Sequence, residues 1–225
     1  MVLGAVFDRR RRDSERDQAR QDRAERYSQP LMAAASSLAA RLGNAMDVKQ
    51  VEEFAGRRKH YAARFEDYMV YETLYRLARY LCWVHLVTRE LRVLDLGNRE
   101  RNRDLVTRIA DVQAAMNRRS DDLDQELPFL LLGGEQSTLA ELMIERDLPD
   151  GEPRCMSYVT FRTRLQDESF RQWFEPLLHD IRAHPTAPMK GGQRLKAVET
   201  ALYALIDVLD PDRIWIPFQE ADAGT

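Results

Sequence analysis

Cysteine is scarce in this sequence: Cys82 and Cys155 are the two in 225 residues. They lack the close spacing of a zinc-ligand pair. Two cysteines also make no disulfide framework, so a reducing cytoplasm fits the chain. Cys82 sits in the apolar run Tyr80 to Val87 and reads as a small core residue. Histidine is nearly as scarce, with four residues, His60, His85, His179 and His184. His179-Asp180 has the order of the adjacent His-Asp pair of metal phosphohydrolases. That chemistry needs further ligands to hold metal and orient water, and no upstream His completes the set. His85 lies on an apolar stripe, where a satisfied core histidine is the simpler reading than a ligand. No Walker-type loop, dinucleotide fingerprint or nucleophile elbow occurs. No catalytic, cofactor-binding or metal-ligating residue is therefore assigned from motifs.

Long hydrophobic runs are also missing. Met1 to Phe7 is apolar apart from Gly4, whereas a bilayer span takes roughly 20 residues. The charges follow this stretch rather than precede it, so it does not read as a signal peptide. Arg9 to Arg12 come next, and an apolar end followed by an Arg cluster matches the cytoplasmic edge of a membrane helix. Residues 1–12 are accordingly expected to lie near a membrane.

Charge is what the chain has in quantity: 32% of residues are charged, at a net −3. That balance argues against the whole protein being a basic nucleic-acid binder. Of 34 basic residues, 30 are Arg. Codon usage in a GC-rich genome accounts for this more simply than selection for phosphate-binding Arg forks. Asp8 to Arg26 is almost wholly polar, with eight Arg and six acids. The i,i+4 pairs Asp8/Arg12 and Asp22/Arg26 support an exposed helix there, and a helix polar on all sides has no face to bury. The interleaved acids would repel phosphates, so nucleic acid ranks last among partners.

Periodicity supplies the fold. After Ser28-Gln29-Pro30, read as punctuation, Leu31 to Met46 forms a short amphipathic helix ending near Gly43-Asn44. The strongest element runs from about Ala63 to Leu94. Leu74, Leu77, Leu81, Val84, Thr88 and Leu91 recur at 3-4 spacing beside a second stripe of Tyr71, Tyr75, Ala78, Cys82 and His85. Two adjacent stripes predict a wide buried face and hence a central helix, with Gly97 as its C-terminal cap. Asn98 can cap the next helix, whose buried side is Leu105, Ile109, Val112 and Met116. Ser120 to Glu126 reads as a loop, and Pro128 to Leu132 as strand or extended backbone. Glu135 to Glu145 reads as a helix behind Gly133-Gly134. A tight helix entry explains the glycines better than an anion site, and a solvated face explains Glu141 and Glu145 better than a metal pair. Tyr158 to Leu165 reads as a short helix. A second begins near Asp167 with a break expected at Pro176. A last helix carries Leu195, Val198, Leu202, Leu205 and Leu209 and stops at Asp210-Pro211. Ile214-Trp215-Ile216 is expected to pack back as an extended tail.

These elements predict an all-α fold: an irregular multi-helix bundle of about five to seven helices with a polar N-terminal helical extension. The division is residues 1–29 as a charged helix or linker, 30–218 as the bundle and 219–225 as a disordered tail. The run Glu72 to His85, Arg92 to Gly97, Gly134-Glu135-Gln136 and Met156 to Phe161 resembles a family of uncharacterised bacterial helical proteins. Arg26-Tyr27 leading to Pro30-Leu31, and Leu209-Asp210-Pro211, share in that resemblance. It covers most of the chain after about residue 20. It implies an N-terminal membrane helix, which here is absent or reduced to the stub Met1 to Phe7, and it implies no activity.

Two readings follow. One is a non-enzymatic helical interaction module at or near the cytoplasmic membrane face, with a protein partner, self-association or coiled-coil pairing. The alternative is a small-molecule sensor or enzyme with an inter-helix pocket near Tyr75, Arg79, His85, Glu135 and Tyr158, the polar groups closest to the predicted buried faces. Neither reading calls for a cofactor. Tyr68, Tyr71, Tyr75, Tyr80, Trp83, Tyr158, Phe161, Phe170, Trp173 and Phe174 read as core. Arg76 and Arg79 are expected to partner tyrosine hydroxyls among them.

Overall fold

The computed structural model describes residues 26–44, 64, 67–90, 99–118, 128–146, 149, 152–183 and 192–214. Met1 to Phe7, the Arg cluster, His60, Gly97, Asn98, Ser120 to Glu126, His184 and the tail beyond Ile214 lie outside the described residues.

The chain is an irregular all-α bundle. Helix α1 covers residues 26–44. Helix α2, Thr73–Glu90, is entered through a π turn at Tyr68–Glu72. Then come α3 (Arg99–Asn117) and α4 (Gly133–Leu142). A two-residue antiparallel bridge follows, β1 (Ile144–Glu145) against β2 (Arg154–Cys155), pairing Ile144 with Cys155 and Glu145 with Arg154. The remaining helices are α5 (Tyr158–Arg164), the one-turn α6 (Glu168–Arg171), α7 (Glu175–Ala183) and α8 (Gly192–Leu209). A 3-10 turn, Gln172–Phe174, joins α6 to α7.

Helix α2 is the centre, as its double stripe predicts. Leu74, Leu77, Leu81, Val84, Ala78 and Cys82 are buried in one cluster with α1, α3, α4, α7 and α8. Buried Arg41 ties α1 to the π turn. Its Nε donates to Thr73 Oγ1 (2.7 Å), its Nη2 donates to the Met69 carbonyl (3.2 Å), and its guanidinium lies over the Tyr68 ring. Burial lowers its pKa, but an arginine remains charged. Its charge is thus met by dipoles and a ring as well as by the field of Glu72.

Helices α3 and α8 run antiparallel against one another. Arg101, at the start of α3, donates to the carbonyls of Val208 and Leu209 at the end of α8. Arg194, at the start of α8, donates to the Arg118 carbonyl beyond the end of α3. Arginines thus fall on the negative ends of helices, where cations are favoured.

Four expectations are corrected. Helix α1 runs unbroken through Ser28-Gln29-Pro30. Proline there removes one i→i−4 donor, a loss that falls on the exposed Arg26 turn. Pro128 to Leu132, expected as strand or extended backbone, forms no strand: Pro128 and Phe129 make a turn, and the backbone is extended at Leu132 (φ −67°, ψ 155°). Phe129 is left-handed (φ 61°) with its N–H donated to Asp180 Oδ2 at 2.7 Å. The helix expected through Glu145 stops at Leu142, because Ile144 and Glu145 pair with β2 instead. Ile214 is 69% exposed and does not pack back. The expected break near Pro176 is present. Phe174 ends a 3-10 turn and Pro176 sits in the first turn of α7, where a missing N–H costs no helical bond.

Candidate functional site

The five polar residues singled out from sequence fall in three places. Tyr75 and Tyr158 meet edge-on, with ring centroids 5.1 Å apart, and the Tyr75 hydroxyl donates to the Met156 carbonyl at 3.1 Å. Burial raises the Tyr75 pKa, while nearby Arg79 pulls the other way. This is the edge of an aromatic core: Tyr75 touches Phe161, which touches Phe170 and Phe174. Most of the aromatic set is packed there, but Trp173 is 52% and Tyr68 44% exposed. Arg76 does not serve the tyrosines. It binds Glu72 and donates to the Ser37 carbonyl of α1 at 2.9 Å. Tyr71 instead takes Arg162 over its ring and Arg182 at its hydroxyl.

Glu135 belongs to helix capping. Its carboxylate, at the third position of α4, reaches back to accept from the N-cap Leu132 N–H at 2.7 Å, which is one half of a capping box. A carboxylate already occupies this helix end, so Gly133-Gly134 is a helix entry, as expected. His179 is exposed, and its neighbour Asp180 is engaged by the Phe129 N–H. Glu141 is exposed and Glu145 has left the helix, and among the described residues no group of His, Cys, Asp and Glu could hold a metal ion.

His85 stands apart from these in a cleft between α2, α3 and α4, of about 450 Å³. Helix α2 contributes Leu81, Val84, His85, Thr88 and Arg89. Helix α3 contributes Gln113, and α4 contributes Gln136, Ser137 and Ala140. The 3-4 spacing of α2 puts Leu81, Val84 and Thr88 on one line with His85 beside it. The floor is apolar. The rim carries a guanidinium, an imidazole and hydroxyl and amide groups, and among the described residues no carboxylate lines it.

Gln136 is the unusual member, a polar side chain only 4% exposed. Its Nε2 donates to the Gln113 carbonyl (3.1 Å) and to the Leu131 carbonyl (2.9 Å). Two carbonyl partners fix which end of the amide is nitrogen. The remaining oxygen, Oε1, is buried without a partner among the described residues. Leaving such an acceptor unmet costs about 1–3 kcal/mol. The amide also holds α4 to α3 and to the Leu131 turn, whose own N–H donates to Met116 at 3.1 Å.

Sequence reasoning missed Gln136, Gln113 and Arg89. One signal was available: Thr88 and His85 are polar members of two adjacent apolar stripes on one helix. Thr88 is exposed in the structure because it faces the cleft rather than the core.

The chain matches no family model, no curated protein and no solved structure.

Proposed function

We propose that the chain is a non-enzymatic helical module that binds a small organic anion in the α2–α3–α4 cleft. The observation that carries this reading is the composition of that cleft, where Arg89 and His85 of α2 stand across an apolar floor from the amide and hydroxyl groups of Gln113 and Ser137. Arg89 and His85 favour an anionic group on the ligand. Leu81, Val84 and Ala140 take its carbon skeleton. The volume falls within the range of small-molecule sites, roughly 300–1,000 Å³. Hydroxy- and aminocarboxylates and phosphorylated polyols combine these features.

Thermal-shift and calorimetric titration with malate, O-phosphoserine and glycerol 3-phosphate tests the reading. A ligand that binds only the folded state raises the melting temperature. Arg89 is exposed, so Arg89→Ala is expected to leave stability within about 0.5 kcal/mol. It is expected to weaken binding roughly 10- to 150-fold, the worth of one charge-assisted hydrogen bond. No stabilisation by any probe, or equal binding by Arg89→Ala, overturns it.

Placement at the cytoplasmic membrane face rests on Met1 to Phe7 and Arg9 to Arg12 alone. No helix among the described residues is long and apolar enough to cross a membrane. Fractionation of the native protein tests that placement: recovery with membranes supports it, and recovery entirely in the supernatant removes it. Among the described residues the large exposed apolar ones, Tyr68, Val106, Leu132, Val159, Trp173 and Ile214, each lie on a different element or connection, and residues scattered in this way make no case for a docking face.

A further inference from the structure

The chain's two cysteines, distant in sequence, meet in the fold. Cys82 is fully buried on the inner face of α2. Cys155 is the second residue of β2, half-buried and packed against the same core cluster. Strand β2 lies against α2, and the contact is pinned from both sides. Tyr75, two turns before Cys82 on the same stripe, donates its hydroxyl to the carbonyl of Met156, the residue after Cys155. The Met156 N–H donates to the Met143 carbonyl at 2.8 Å and holds the bridge closed. Both cysteines thus belong to one packed contact between β2 and α2, close enough for the Cys155 thiol to act on the Cys82 pKa.

We propose that Cys82 and Cys155 are an oxidation site, a thiol pair that a peroxide converts to an intrachain disulfide stapling β2 to α2. The inference does not depend on the ligand reading. The two sulfurs differ in role because their surroundings differ. The Cys155 thiol next to it and burial together push the Cys82 pKa up, so Cys82 stays protonated and shielded. Cys155, the more accessible, reacts first. Its thiolate attacks one oxygen of hydrogen peroxide and the O–O bond breaks. The departing hydroxide takes a proton and leaves as water, and Cys155 becomes a sulfenic acid. The Cys82 sulfur then attacks the Cys155 sulfur. The S–O bond breaks, the Cys82 proton leaves with the hydroxide as a second water, and the S–S bond forms. Two thiols lose two electrons, and one peroxide is reduced to two waters.

The test treats the full chain with excess hydrogen peroxide and follows free thiols, intact mass and a non-reducing peptide map. The expected product is monomeric, has lost both thiols, and carries the Cys82 peptide linked to the Cys155 peptide. Its melting temperature is expected to rise by roughly 5–15 °C, because the bond closes a long loop, and to fall back with dithiothreitol. In Cys82→Ala the reaction is expected to stop at a Cys155 sulfenic acid that dimedone captures. In Cys155→Ser, Cys82 is expected to remain a free thiol. Oxidation of Cys155 to sulfinic acid in the wild-type chain with Cys82 still free overturns the proposal. So does linkage between chains, or a folded protein whose two thiols survive treatment that modifies free cysteine.

Discussion

Tyr80→Phe is expected to stabilise this protein, against the usual direction for a buried tyrosine. Tyr80 is fully buried on α2, and its hydroxyl has no hydrogen-bond partner among the described residues. Burial pushes its pKa far above the ordinary phenol value, consistent with an apolar surround. The ring carries the packing and is kept by the substitution. Removing an unmet buried hydroxyl recovers about 1–3 kcal/mol of desolvation cost. The oxygen leaves a void on the order of 10 Å³, costing about 0.2 kcal/mol. The net expectation is a gain of about 1–3 kcal/mol, or a rise of roughly 2–11 °C in Tm for a chain of this size. Urea melts of the two proteins measure it, provided the slopes agree, so that the midpoint shift reports stability alone. A loss of about 1 kcal/mol instead would refute the reasoning, since it would mean that the hydroxyl is hydrogen-bonded in solution, for instance through a buried water.

Three further outcomes follow from the packing and the caps. Phe161 is fully buried among Tyr75, Phe170 and Phe174, so Phe161→Ala is expected to cost about 3–5 kcal/mol in a denaturant melt. Ser157 caps α5 by accepting from the Thr160 N–H at 3.1 Å, and Ser157→Ala is expected to cost about 1 kcal/mol by the same assay. The hydroxyl of Ser169 beside the Asp167 carboxylate, and its N–H donated to that carboxylate at 2.9 Å, hold the Asp167 pKa below the usual carboxylate value. A depressed folded-state pKa gives stability that is present above the unfolded value and lost as the pH falls through the folded one. Asp167→Asn, which still caps α6, is therefore expected to flatten the acid limb of the melting curve in that window. An unchanged limb would contradict it.

The fold was legible where one helix face meets the core. The stripes of α2, α3 and α8 depend on spacing alone, and Leu74, Leu81, Ile109, Val112, Leu202 and Leu205 are all buried as that spacing requires. It was less legible where long-range pairing overrides local pattern. Ile144 and Glu145 continue a helical sequence, yet they pair with Cys155 and Arg154, partners that spacing does not reveal. Phe129 takes a left-handed backbone that its residue type disfavours, held by Asp180 from α7. The site shows the same division. His85 was found because it interrupts an apolar stripe. Tyr75 and Tyr158 lie at the edge of the aromatic core instead, and Glu135 caps a helix. Gln136 was invisible because an amide in a helix is ordinary until its two ends are seen to have different surroundings. The cysteine pair was invisible for a related reason: no spacing rule joins the inner face of a helix to a two-residue strand.

The most direct test of the central claim is a heteronuclear NMR titration of the full chain with malate, O-phosphoserine and glycerol 3-phosphate, reading backbone and glutamine side-chain amides. The account predicts that at least one probe moves signals of Arg89, Gln113, Gln136 and Ser137 together, with the Gln136 side-chain amide among the most affected and the aromatic core of α5 to α7 unmoved. Shifts confined to another face, or a spectrum unchanged by all three probes, would contradict the cleft as a binding site.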